Sequence, residues 1–111
     1  MSGKASVTHE EATLESFRRE PGFAIDYLNE VLEDGDEREV MLALRRVAQA
    51  FGGIGEVAAK ADLNAKSLYR ALSAEGNPEL KTLVPLLRGL GMQLRVVRCE
   101  NDRGGRTVAT R

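Results

Sequence analysis

The sequence predicts an all-α fold: a compact bundle of about five helices, with a helix-turn-helix near its middle and one short C-terminal β-strand. Three observations predict it. Apolar residues recur at helical spacing from Phe23 to Leu32 and again from Val40 to Phe51. Residues 55–73, GEVAAKADLNAKSLYRALS, read as two short helices joined by a tight turn. Residues 92–98, MQLRVVR, alternate loosely and carry β-branched side chains, as a strand does.

The elements follow in order. Residues 1–20 form an N-terminal arm whose first seven residues are small and polar. Thr8 and Glu11 have the spacing of a capping box, so a weak helix starts at His9 and runs to about Arg19. Its apolar anchors are Leu14 and Phe17, too few for a strong face, so a partner is expected to order it. Residues 21–99 form the main domain. Pro21 suits a first helical turn, and Phe23, Ala24, Tyr27, Leu28, Val31 and Leu32 follow at helical spacing as far as Gly35. Asp36 and Glu39 offer the next cap pair. Val40, Met41, Leu44, Val47, Ala48 and Phe51 then make a strongly amphipathic helix closed by Gly52-Gly53. Arg18-Arg19 and Arg45-Arg46 read as solvated helix faces.

Gly55 stands at the expected cap of the next helix, which buries Val57, Ala58 and Ala61. Asp62-Leu63 makes the turn, with Asp62 in a left-handed conformation where glycine is usual. Asn64 caps the second helix, and Leu68 and Leu72, four residues apart, point inward. Gly76, Asn77 and Pro78 mark a turn. A last helix is expected from Pro78 to Gly89 or Leu90, kinked or broken at Pro85. The strand that follows cannot pair with itself, so Gln93 to Arg98 is expected to pair with its copy in a homodimer. Residues 100–111 form a charged, disordered tail.

Composition narrows the function. A chain of 111 residues, 42% hydrophobic and 30% charged, is one ordinary globular domain. It has no run of membrane-spanning length and no leader pattern, which points to a cytoplasmic protein with no membrane partner. A single cysteine, Cys99, fits a reducing compartment. No phosphate loop, ligand cluster or nucleophile–base pair appears, so no enzyme, metal or cofactor is expected. His9 has no second ligand spaced to join it, and Cys99 has no histidine near it in sequence. The charge is unevenly spread. Residues 1–44 hold 4 Lys/Arg against 11 Asp/Glu, whereas residues 45–111 hold 12 against 6. The basic part contains the helix-turn-helix.

A second helix that buries Leu68 and Leu72 leaves Lys66, Ser67, Tyr69, Arg70 and Ser73 on or near its outer side. Basic and hydroxyl residues on such a face suit a DNA major groove. Lys66 and Ser67, in the first turn, are candidates for base edges or phosphates, and Arg70 for a guanine or a phosphate. Asn64 is either a cap or a base reader. Tyr69 touches phosphate or lies over the core edge. Lys60 and Lys81 flank the motif as backbone contacts. The competing readings are a helical hairpin that only packs a core and an interaction module that does not bind DNA.

Beyond this pattern, five stretches together resemble a known family. They are FAIDYL from Phe23, LEDGD from Leu32, LALRRVAQAFGG from Leu42, LNAKSLYRALSAEGNP from Leu63 and LLRGLGMQL from Leu86. The chain from about Pro21 to Arg98 resembles the addiction-module antidote proteins, HigA-like antitoxins with a Cro/λ-repressor-type helix-turn-helix. The segment SLYRAL, followed by GNP, is the most specific part. Asp62, Gly55 and Pro85 depart from the family pattern. The resemblance implies an antitoxin of a type II toxin-antitoxin module. Such a protein neutralises a RelE/HigB-like toxin by direct binding and represses its own operon as a dimer on operator DNA. RelE-like ribonucleases are basic because they hold RNA, so Glu30, Glu33, Asp34, Asp36 and Glu37 are the candidates for toxin binding. The alternative is a stand-alone prophage-type repressor with no toxin.

Overall fold

In the computed structural model, residues 8–73 and 75–99 are described, and they are all-helical. Six helices appear among them: α1 His9–Arg19, α2 Pro21–Asp34, α3 Glu37–Ala50, α4 Ile54–Ala61, α5 Ala65–Ala71 and α6 Leu80–Gly89. The expected tail and the first seven residues of the arm lie outside the described residues.

Helices α1, α3 and α5 begin at a residue whose side chain accepts a free N–H of the first turn, and α2 begins at a proline. Thr8 Oγ1 accepts the Glu11 N–H at 2.9 Å, and Glu11 Oε1 accepts the Thr8 N–H at 3.3 Å. The same box opens α3, where Asp36 Oδ1 accepts from Glu39 N at 2.9 Å and Glu39 Oε1 accepts from Asp36 N at 2.8 Å. Pro21 occupies the first turn of α2.

Three helices end in one way. The N–H of the residue immediately after a left-handed or positive-φ residue reaches back to a carbonyl in the last turn. Gly53 bonds Ala48 at 2.9 Å beyond Gly52, whose φ is 115°. Leu63 bonds Ala58 at 2.8 Å, with Asp62 at φ 61° between the helices. Met92 bonds Leu87 at 2.7 Å beyond Gly91, with φ 82°.

The core is continuous. Helix α3 supplies Met41, Ala43, Leu44, Val47, Ala48 and Ala50 to it. Helices α1 and α2 pack on α3 and on each other, through Phe17, Ala24 and Leu28. On the other side, α4 joins α3 to the pair α5 and α6, burying Ile54, Val57, Ala58, Leu68, Leu72, Leu86 and Leu87. Helices α4 and α6 approach closely because Gly89 has no side chain; a Cβ there would stand 3.1 Å from Ala61 Cβ and 3.2 Å from the Val57 carbonyl oxygen.

Several local expectations change. The α4 cap is Gly53, not Gly55, because two successive positive-φ glycines end the turn early and let Ile54 start the helix inside the core. Helix α6 begins at Leu80 rather than Pro78 and continues as one helix through Pro85. The bond lost at Pro85 is that to the carbonyl of Lys81, an exposed residue that water can reach. Helix α1 is held by this chain's own core, since Phe17 is only 4% exposed and Arg18 Nε donates to the Ala50 carbonyl at 2.9 Å.

Arg46 is likewise not a solvated face. It donates to both Glu10 oxygens, at 3.0 and 3.3 Å, and to the Tyr27 hydroxyl at 3.2 Å, tying α1, α2 and α3 together. Those hydrogen bonds, Glu10 first and Tyr27 second, raise its pKa above the ordinary arginine value. No strand appears among the described residues of the single chain, where Gln93 to Arg98 was expected to pair with its copy. A strand needs an edge to pair with, and helices offer none.

Candidate nucleic-acid interface

Helix α5 is short, and its ends are set by the chain itself. Asn64 Oδ1 accepts the Ser67 N–H at 2.9 Å, so the amide acts as the N-cap. Leu68 and Leu72 are 1% and 0% exposed, which fixes the rotation of the helix about its axis. Lys66, Ser67, Tyr69 and Arg70 are then all exposed. Tyr69, at 62% exposure, stands out in solvent rather than over the core edge. Lys66 and Arg70 are four residues apart and share one side of the helix. Among the described residues neither has an ion-pair partner.

Ser73 is half-buried, and its hydroxyl donates to the Arg70 carbonyl at 2.9 Å, closing the helix end. Ser67, Arg70 and Ser73 come together along a cleft of 480 Å³ that Ala71, Glu75, Gly76 and Asn77 complete. Asn64, Lys66 and Tyr69 lie outside that cleft. The second wall exists because Gly76 has no side chain: a Cβ there would collide with the carbonyl oxygens of Arg70 and Ala71. Asn77 and Glu75 were not singled out from sequence; the GNP turn just after the helix was the available signal. Of the flanking lysines, Lys60 is exposed. Lys81 pairs with Glu79 at 3.6 Å in an exposed position where such a pair adds little.

The acidic candidates divide. Glu30, Glu33, Asp34, Asp36 and Glu37 are all exposed, but Asp36 is engaged as the α3 cap. Glu30 and Asp34 line a groove of 390 Å³ between α2 and α3, with Tyr27, Val31, Gly35, Glu39, Leu42 and Arg46. Glu33 and Glu37 lie outside it. Among the described residues no group of three or more His, Cys, Asp or Glu is placed to hold a metal ion, and no helix is long and apolar enough to cross a membrane.

Comparison with known proteins gives two matches. The family described as "Probable addiction module antidote protein" matches residues 14–98. An uncharacterised protein of Haemophilus influenzae strain Rd is 33% identical over 70 residues, which cover 63% of this chain and 71% of that protein. No solved structure matches.

Proposed function

Because the chain belongs to the family of probable addiction module antidote proteins, we propose that it is the antitoxin of a type II module that acts in two ways. It neutralises a RelE- or HigB-like toxin by direct binding. It also represses its own operon as a homodimer on near-palindromic operator DNA, with α4 and α5 as the helix-turn-helix. The observation that carries the DNA half is the orientation of α5. Leu68 and Leu72 lock it into the core while Lys66, Ser67, Tyr69 and Arg70 face solvent. A fixed helix with unpaired cations on its outer side is what a major groove accepts.

In this reading Lys66 and Ser67 meet base edges or phosphates, and Arg70 takes a guanine or a phosphate. Tyr69 and Ser73 border the backbone. Asn64 acts through its cap. The Gln93 to Arg98 segment, which lies outside the helices, supports the dimer, since Val96 is 98% exposed and apolar, which suits a strand waiting for its copy. The toxin half draws on the acidic α2–α3 region, where Glu30 and Asp34 face a basic ribonuclease and Glu33 and Glu37 lie outside the groove.

The test is footprinting of the purified chain on the DNA upstream of its own gene. A protected near-palindrome is expected. Arg70→Ala is expected to lower affinity for it by about 1–3 kcal/mol. Equal affinities of variant and wild type would overturn the role given to Arg70.

A further inference from the structure

Resting on the toxin-neutralising half of that reading, we infer that the groove between α2 and α3 is the seat of an arginine side chain presented by the toxin.

The groove has an apolar floor and an acidic rim. Val31 and Leu42 form the floor with the Tyr27 ring. Leu42 is 42% exposed on a helix whose neighbouring positions Met41, Ala43 and Leu44 are all buried, so it breaks the pattern of α3 on this one side. The rim is Glu30, Asp34 and Glu39. Among the described residues, neither Glu30 nor Asp34 has an ion-pair partner. The one cation in the groove, Arg46, has its charge taken up by Glu10 at 3.0 Å. The net field at the mouth is therefore negative.

A long basic side chain matches both parts. Its aliphatic stem covers apolar surface while its charged end reaches the carboxylates. Arginine fits better than lysine, because a planar, weakly hydrated guanidinium forks across two carboxylates and lies against an aromatic ring.

The groove is also shaped in advance. Gly35 lets the α2–α3 corner close tightly; a Cβ there would stand 2.8 Å from the Val31 carbonyl oxygen and 2.9 Å from Glu39 Oε1. Glu39 is held by the Asp36 N–H at 2.8 Å. Tyr27 is held by the Arg46 hydrogen bond and by the Phe17 ring, 5.1 Å away between centroids. A recess whose floor and end are fixed loses little freedom when it is filled. Phe23, Tyr27, Glu30 and Asp34 lie along one helical line, so the exposed Phe23 extends the apolar surface beyond the groove.

The experiment uses the full chain and, as probe, the toxin of its own module, taken as the product of the adjacent reading frame. Binding is titrated for wild type and three variants. Two carry the same charge change: Glu30→Lys with Asp34→Lys inside the groove, and Glu33→Lys with Glu37→Lys outside it. The third, Leu42→Gln, removes floor without changing charge. All five positions are exposed, and thermal melts verify that the variants fold. The inference expects the groove pair and Leu42→Gln each to weaken binding about tenfold or more. It expects the outside pair to stay within about twofold. Equal losses for the two charge pairs, or an unaffected Leu42→Gln, would overturn the groove and leave toxin binding intact. A wild-type chain that does not bind the toxin at all would overturn the antitoxin reading itself, and the groove assignment with it.

Discussion

Asp62 holds φ 61° and ψ 43°, the only positive-φ residue other than glycine among those described. The conformation costs an L-residue roughly 1–2 kcal/mol, and glycine would remove that cost while losing part of the gain as chain entropy. Asp62→Gly is therefore expected to stabilise the fold by about 0.5 kcal/mol, read as a higher denaturation midpoint. Asn64→Ala is expected to cost about 1 kcal/mol, since it leaves the Ser67 N–H without its cap. Caps and turns of this kind were readable from sequence because each depends on residues three or fewer apart. Arg18 and Arg46 were not. Their partners lie 32 and 36 residues away, and nothing in a local window distinguishes an arginine facing water from one facing a carbonyl on another helix. Arg46 adds no pH dependence in the accessible range. A raised pKa contributes stability fully at every pH below the ordinary arginine value and loses it only above.

Helix α1 shows how few anchors can dock an element when polar contacts join them. Phe17 fills the core, Arg18 caps the last turn of α3, and Glu10 takes Arg46. Phe17→Ala is expected to cost about 3 kcal/mol or more, and hydrogen exchange should show α1 losing protection before α4, α5 and α6. Uniform loss across all six helices would mean that α1 is part of one cooperative unit instead. Strongly periodic helices, α2 and α3 above all, were found from apolar spacing alone. Helix ends were less readable: choosing between Gly53 and Gly55 as the α4 cap required knowing that Ile54 is drawn into the core. The segment 92–98 has the composition of a strand, but forming one depends on an edge that its composition does not supply.

At the scale of the whole chain, the two charge groups fall on different parts of the fold. Acidic residues crowd α2 and the start of α3, and α5 carries Lys66 and Arg70, neither with an ion-pair partner among the described residues. Under the proposed function, one molecule faces a basic protein and a nucleic acid at once. The DNA half predicts a steep salt dependence, with log affinity falling by about 0.9 per phosphate neutralised for each tenfold rise in salt. Removing Lys66, if it meets a phosphate, should reduce that slope by about one. A slope near zero, read by titration at several salt concentrations, would leave α5 without a DNA role. The orientation of α5 was readable from the spacing of Leu68 and Leu72. The grooves beside α5 and α2 were not, because each is built from residues that only the packed corners at Gly76 and Gly35 bring together.

The most direct test of the account is growth. The adjacent reading frame is expressed alone and then together with this protein, and host growth is followed. Arrest by the first and rescue by the pair is the predicted result. Arrest that this protein does not relieve would contradict its role as an antidote.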